Sequence, residues 1–205
     1  MHGQSRLSVD IDATRHDPPR HKLDAADVAR SIVRAGGQLF SVRSGAPETD
    51  SAQSLDFNAI RYKGPLGHGT IAVEVSYREA LVLGPVSAEI GHPFYEPFPI
   101  PVMAPDEIVA EKLRTLAQRR RPTDLSDIAF LLTEVEIDDG VVRDVAVAKF
   151  RPGLVSPGDH RARIAATIDS MADEYTATID ALVRDAPPYS KAANLVLSKL
   201  KNLMP

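Results

Sequence analysis

Residues 105–132 read PDEIVAEKLRTLAQRRRPTDLSDIAFLL. Val109, Leu113, Leu116 and Ala117 recur at helical spacing, so the first half is an amphipathic helix rather than a strand. Pro105 suits a first helical position, and Asp106 and Glu107 suit the positive end of the helix dipole. This helix is expected to reach about Arg119. Pro122 is expected to break it, with Thr123 capping a second helix that runs to about Thr133. Further helices are expected over about 138–149, 158–185 and 189–202, with no internal repeat and no low-complexity tail.

Upstream of this stretch the period changes to two. Residues 6–13, RLSVDIDA, alternate Leu7, Val9 and Ile11 with Ser8, Asp10 and Asp12, as a strand does. Asp24 can cap a helix to about Ala35, which Gly36 and Gly37 end. Strands are expected over 38–43, 55–62, 70–77 and 82–90, with a loop over 44–53 and a turn over 63–69. The proline-rich stretch 94–102 reads as an edge strand or connector, and the domain boundary is placed there. The expected class is α+β, with a mixed-sheet domain over 1–103 and a helical domain over 104–205.

The 205 residues suffice for a sizeable core. The net charge of -4 is not that of a general nucleic-acid coater, and without Trp and with 5% aromatics stacking platforms are sparse. The lack of Cys excludes disulfides, thiolate zinc sites and a Cys nucleophile. No apolar run approaches the ~20 residues of a membrane span, and residues 1–10 hold no secretory h-region. A cytoplasmic protein without a membrane partner is expected. The six His residues show no ligand spacing such as H-E-x-x-H, which speaks against a metal hydrolase.

Two constellations carry chemistry. Asp10 and Asp12 lie two apart on one strand, so they share a face with Cα atoms roughly 6.5–7 Å apart. Two such carboxylates repel, and a hard divalent cation relieves the repulsion. Glu74, on a second strand between apolar neighbours, could supply a third acid. A solvated strand face gives the same pattern, and for a bare D-x-D, and more so for Glu74 alone, that bland reading is the commoner one. In the second constellation Lys112, Thr115 and Arg119 share a helical face, and Asp124 and Asp127 share the face of the next helix. A Lys and an Arg one turn apart suit triphosphate oxygens, and the Asp pair can hold the Lys or bind the sugar edge of a nucleotide. The bland alternatives are a helix N-terminus for the two aspartates, a solvated face for Glu107, Glu111 and Lys112, and a plain basic turn for Arg119, Arg120 and Arg121.

Together the segments resemble the AbiEii-type nucleotidyltransferase toxins, the group that includes the mycobacterial MenT toxins. The resemblance rests on R-L-S-x-D-I-D at 6–12, IAVEVSYRE at 71–79, P-x-E-x-x-A-x-K-L at 105–113 and R-x-x-x-x-D-L-x-D at 119–127. It spans about residues 5–133. It implies a polymerase-β-like nucleotidyltransferase core followed by a helical region, and the toxin half of a type IV (in some cases type II-like) toxin–antitoxin pair. Characterised MenT members resemble enzymes that add nucleotides, often pyrimidines, to the 3′ end of tRNA. By resemblance Asp10 and Asp12, with Glu74, would bind Mg²⁺. Asp10, Asp12, Lys112 and Asp127 would be catalytic, and Lys112, Arg119, Asp124 and Asp127 would bind the NTP. Arg119, Arg120 and Arg121 are candidates for contact with tRNA, and a cognate antitoxin is the expected partner.

One departure stands out. The family carries a strand, a G-G-[ST] turn and a helix before the D-x-D strand, and here Met1 stands nine residues before Asp10. His2, Gly3, Gln4 and Ser5 are too few to replace that element, so a truncated core with a weakened triphosphate grip is expected. The alternatives to an active tRNA-modifying toxin are an inactive family remnant that binds a nucleotide or antitoxin, and a nucleotidyltransferase acting on a protein, antibiotic or other small molecule.

Overall fold

The computed structural model describes residues 10–14, 40–42, 49–50, 54–64, 67–76, 81–92, 95–150, 157–183 and 185–205. It also describes Asp27, Arg30, Ser31 and Arg34, which are helical and exposed, within the first expected helix. The contacts divide the chain into two compact units that meet in sequence between Leu81 and Val82.

The first unit is a mixed sheet. Its strands are β1 (Asp10–Thr14), β2 (Phe40–Val42), β3 (Thr49–Asp50), β4 (Ser54–Gly64) and β5 (Gly67–Ser76). Their order is β1-β5-β4-β2, with β3 also paired to β4. Strand β1 runs parallel to β5, and the remaining pairs are antiparallel. The period of two in the sequence becomes rows across the sheet. Ile11, Val73 and Phe57 form one apolar row, and Ala13, Val75 and Leu55 form the next. Val73 and Val75 are buried, which fixes this register. The turn expected over 63–69 is tighter than the sequence suggested. Gly64 pairs with Gly67, and Gly67 takes a φ of 138° that a residue with a Cβ rarely adopts. Strand β3 lies where a loop was expected. It has only two residues, too few to show a period.

The second unit opens with an antiparallel hairpin, β6 (Val86–His92) and β7 (Tyr95–Val102). The proline-rich stretch is therefore an edge strand. Pro97, Pro99 and Pro101 alternate along it, so their missing N–H groups fall on one side. Among the described residues six helices follow: α1 (Pro105–Gln118), α2 (Pro122–Glu134), α3 (Asp139–Phe150), α4 (Pro157–Asp169), α5 (Ala172–Ile179) and α6 (Tyr189–Leu203). Leu113, Leu116, Ile128, Val142, Ile164 and Val196 are among the residues of their shared apolar core. None of the described helices is long and apolar enough to cross a membrane.

Three expectations are corrected here. Pro122 does not end a helix but starts one. Arg121 precedes it with extended backbone, and Thr123 lies inside α2 rather than capping it. A proline lacks only an N–H that a first helical turn leaves unpaired anyway. The single helix expected over 158–185 is two, α4 and α5, separated at Ser170 and Met171. Carbonyl groups at the break find new donors, since the Tyr189 hydroxyl donates to Ile168 at 2.7 Å and Arg120 donates to Ser170 at 3.3 Å. Glu107 is no solvated acid. It is fully buried against Lys149 of α3, at 2.8 Å. Its carboxylate also accepts the N–H groups of Val82 and Leu83, and Leu83 packs against the helical core. Val82 and Leu83 group by contacts with the helical unit.

Candidate functional site

In the sheet unit an acidic row lies between the two apolar rows. The register sets Asp12 of β1 beside Glu74 of β5, and Glu74 beside Asp56 of β4. Adjacent strands lie ~4.8 Å apart, so three acidic positions follow one another across three strands. Asp10 is two positions along β1, opposite Ala72. Glu74 is exposed, although Val73 and Val75 on either side of it are buried. The side chains of Asp10, Asp12 and Asp56 lie outside the described residues. Among the described residues no three His, Asp or Glu side chains gather as a metal site. Carboxylate oxygens are the donors a hard cation takes, so the chemistry of the row fits Mg²⁺.

In the helical unit the end of α1 meets the start of α2. Lys112 and Thr115 are one turn apart on α1, and Asp124 and Asp127 are one turn apart on α2. Lys112 Nζ lies 2.7 Å from Asp127 Oδ2 and 3.3 Å from Asp124 Oδ1. The Thr115 hydroxyl is 3.1 Å from Asp124 Oδ2 and 2.9 Å from the Lys112 carbonyl, and its one proton can serve either acceptor. Arg119, on the extended step between the helices, reaches Asp124 Oδ2 at 3.5 Å. The Asp124 side chain is only 5% exposed, against 21% for Lys112, 22% for Asp127 and 52% for Arg119. Asp124 is thus the buried anchor, and the two cations and Asp127 form the accessible rim. Such a rim can offer an ammonium and a guanidinium to anionic oxygens.

The three consecutive arginines face different surroundings. Arg119 joins the cluster. Arg120 is bound to its own chain, 3.0 Å from Glu174 and 3.3 Å from the Ser170 carbonyl. Arg121 is exposed. Beneath the cluster, buried Tyr175 receives a hydrogen bond from Ser126 of α2 and donates a long one, 3.4 Å, to the Pro187 carbonyl.

Sequence reasoning missed Asp56. Its only local signal is an acid between Leu55 and Phe57, which gains meaning once the register with Glu74 is known. It placed Thr115 on the right helical face without a role.

Residues 1–198 match the profile of the family described as Nucleotidyl transferase AbiEii toxin, Type IV TA system. No curated protein matches the chain in sequence. Among solved structures it is similar to MenT4, a nucleotidyltransferase toxin from Mycobacterium tuberculosis H37Rv, with a TM-score of 0.65 at 20% identity. That similarity covers 97% of this chain and 68% of MenT4, and it is a likeness of fold. With the family profile matched over nearly its whole length, the chain belongs to the AbiEii nucleotidyl transferase toxin family of type IV toxin–antitoxin systems.

Proposed function

We propose that this protein transfers a nucleotide from an NTP to the 3′ end of tRNA, with Mg²⁺ as cofactor, and that a cognate antitoxin restrains it. The observation that supports the reading best is the Lys112–Asp124–Asp127–Arg119 cluster. In this reaction the 3′ hydroxyl oxygen bonds to the α-phosphorus, the bond to the pyrophosphate oxygen breaks, and the hydroxyl proton passes to a base. Little covalent help is needed from the protein, and positioning with charge stabilisation carries the rate. Mg²⁺ supplies neutralisation of phosphate oxygens when bound. Asp10, Asp12 and Glu74 are the residues that would hold it. Lys112 and Arg119 would contact the triphosphate, Lys112 exchanging its rim partner Asp127 for a phosphate oxygen while Asp124 keeps its grip. All three arginines of the turn are exposed, and Arg119 and Arg121 would contact an RNA backbone, Arg120 being paired with Glu174 and the Ser170 carbonyl.

The test is transfer of label from each α-labelled NTP to total tRNA in the presence of Mg²⁺. Label is expected on tRNA with one or two of the four nucleotides, and at least about a hundredfold less with Asp10→Ala or Lys112→Ala. Label that persists in both variants, or none on any tRNA, would sink the reading.

A further inference from the structure

The Asp124 carboxylate must stay satisfied while the cations around it work. Its side chain is only 5% exposed, so each oxygen needs a donor from the protein itself. Oδ1 has Lys112 Nζ at 3.3 Å. Among the described residues two donors reach Oδ2, the Thr115 hydroxyl at 3.1 Å and Arg119 Nε at 3.5 Å. The two are unequal. Thr115 lies inside α1 and is half-buried. Arg119 is 52% exposed, and its distance is long for a hydrogen bond. Its backbone N–H is pinned to the Thr115 carbonyl at 2.8 Å, so its side chain can swing while its backbone stays.

A guanidinium drawn to a phosphate leaves Oδ2. Without a second donor that oxygen would be buried and unmet, and the cost would weaken the binding of the anion. The Thr115 hydroxyl removes that cost. Its oxygen lies within reach of both Asp124 Oδ2 and the Lys112 carbonyl, the latter at 2.9 Å. Inside α1 the same carbonyl accepts a backbone N–H from one turn further on. Rotation of the O–H bond alone therefore gives the proton wholly to the carboxylate, and the charged acceptor is the stronger one. The hydroxyl oxygen itself does not have to move.

We infer that Thr115 is a positioning residue, the reserve donor that keeps Asp124 satisfied when Arg119 leaves it for a triphosphate. The part that concerns the triphosphate rests on the proposed transferase function, whereas the shared duty at Oδ2 rests on the distances alone.

The parent chain is compared with Thr115→Val, Thr115→Ser, Arg119→Ala and the double variant Thr115→Val/Arg119→Ala. The valine keeps the branched shape without the hydroxyl, and the serine keeps the hydroxyl. Thermal midpoints are measured first, without ligand. Arg119→Ala is expected to leave the midpoint within about one degree in the parent, and to lower it by at least about two to four degrees in the Thr115→Val background. Dissociation constants are then measured for ATP, CTP, GTP and UTP, each with Mg²⁺. For whichever NTP the parent binds, Thr115→Val is expected to weaken binding about five- to tenfold, and Thr115→Ser to stay within about twofold. The double variant is expected to bind as Arg119→Ala does, because no guanidinium is left to be released. Equal midpoint losses from Arg119→Ala in the two backgrounds overturn the inference. Binding by Thr115→Val as tight as the parent's overturns it too. So does an equal binding loss from Thr115→Val with and without Arg119, which is the result a merely structural threonine gives. A parent that binds none of these NTPs refutes the nucleotide reading, and the midpoints still decide whether Thr115 is the reserve donor.

Discussion

Asp124 and Asp127 lie one helical turn apart and share one ammonium, but burial gives them different work. Asp124 is nearly enclosed and is reached by Lys112, Thr115 and Arg119. Losing its charge leaves those donors short of an acceptor, at a cost of about 1–3 kcal/mol. Asp127 is on the rim, where solvent screens the pair and the stability at stake is below about 1 kcal/mol. Asp124→Asn is therefore expected to lower the thermal midpoint by several degrees, whereas Asp127→Asn keeps the midpoint and loses transfer activity. Equal midpoints for the two variants would contradict this division. The sequence placed both residues on one face, and it left open whether they served a helix N-terminus or a cationic cluster. The answer needed Lys112 and Arg119, which approach them only after the chain turns at Pro122.

Among the elements, α5 supports the start of α2 from below. Burial pushes the Tyr175 hydroxyl above its usual range, opposed by the hydrogen bond from Ser126 and aided by the Asp180 and Asp127 carboxylates. Burial also raises Tyr189, aided by Asp169. The folded state then keeps these protons to higher pH than the unfolded chain. Stability is fully present below the unfolded value of about 10 and falls as pH rises above it. Urea midpoints are expected to decline from about pH 10 upward. In Tyr175→Phe that decline should be shallower, after a loss of about 1 kcal/mol at neutral pH for the missing hydrogen bonds. An alkaline decline as steep as the parent's would show that Tyr175 does not drive it. The same elements mark where local pattern stops informing. The strands were legible because Val73 and Val75 alternate with Glu74, a signal every residue repeats. The break between α4 and α5 has no glycine or proline, and the donors that meet its carbonyls, Arg120 and Tyr189, are distant in sequence. Glu107 has a ready local explanation at a helix start, and this hides its buried partner Lys149 on α3.

At the scale of the whole molecule, a net charge of -4 leaves only a local cationic surface for an RNA backbone, and Arg120 is already committed to Glu174 and Ser170. The four motifs span both units, which is why order and spacing identified the family although no single motif would have. Asp56 escaped because a row across a sheet is a property of the register, and register is set by buried neighbours on other strands. Nucleotidyl transfer and transfer of the terminal phosphoryl group break different bonds of the NTP. The same NTP is supplied to tRNA and Mg²⁺ with its label at either the α- or the γ-phosphate. Nucleotidyl transfer leaves α-label on the RNA and releases γ-label as pyrophosphate, and that is the expected result. Label from the γ-phosphate on RNA, or from neither position, would contradict it.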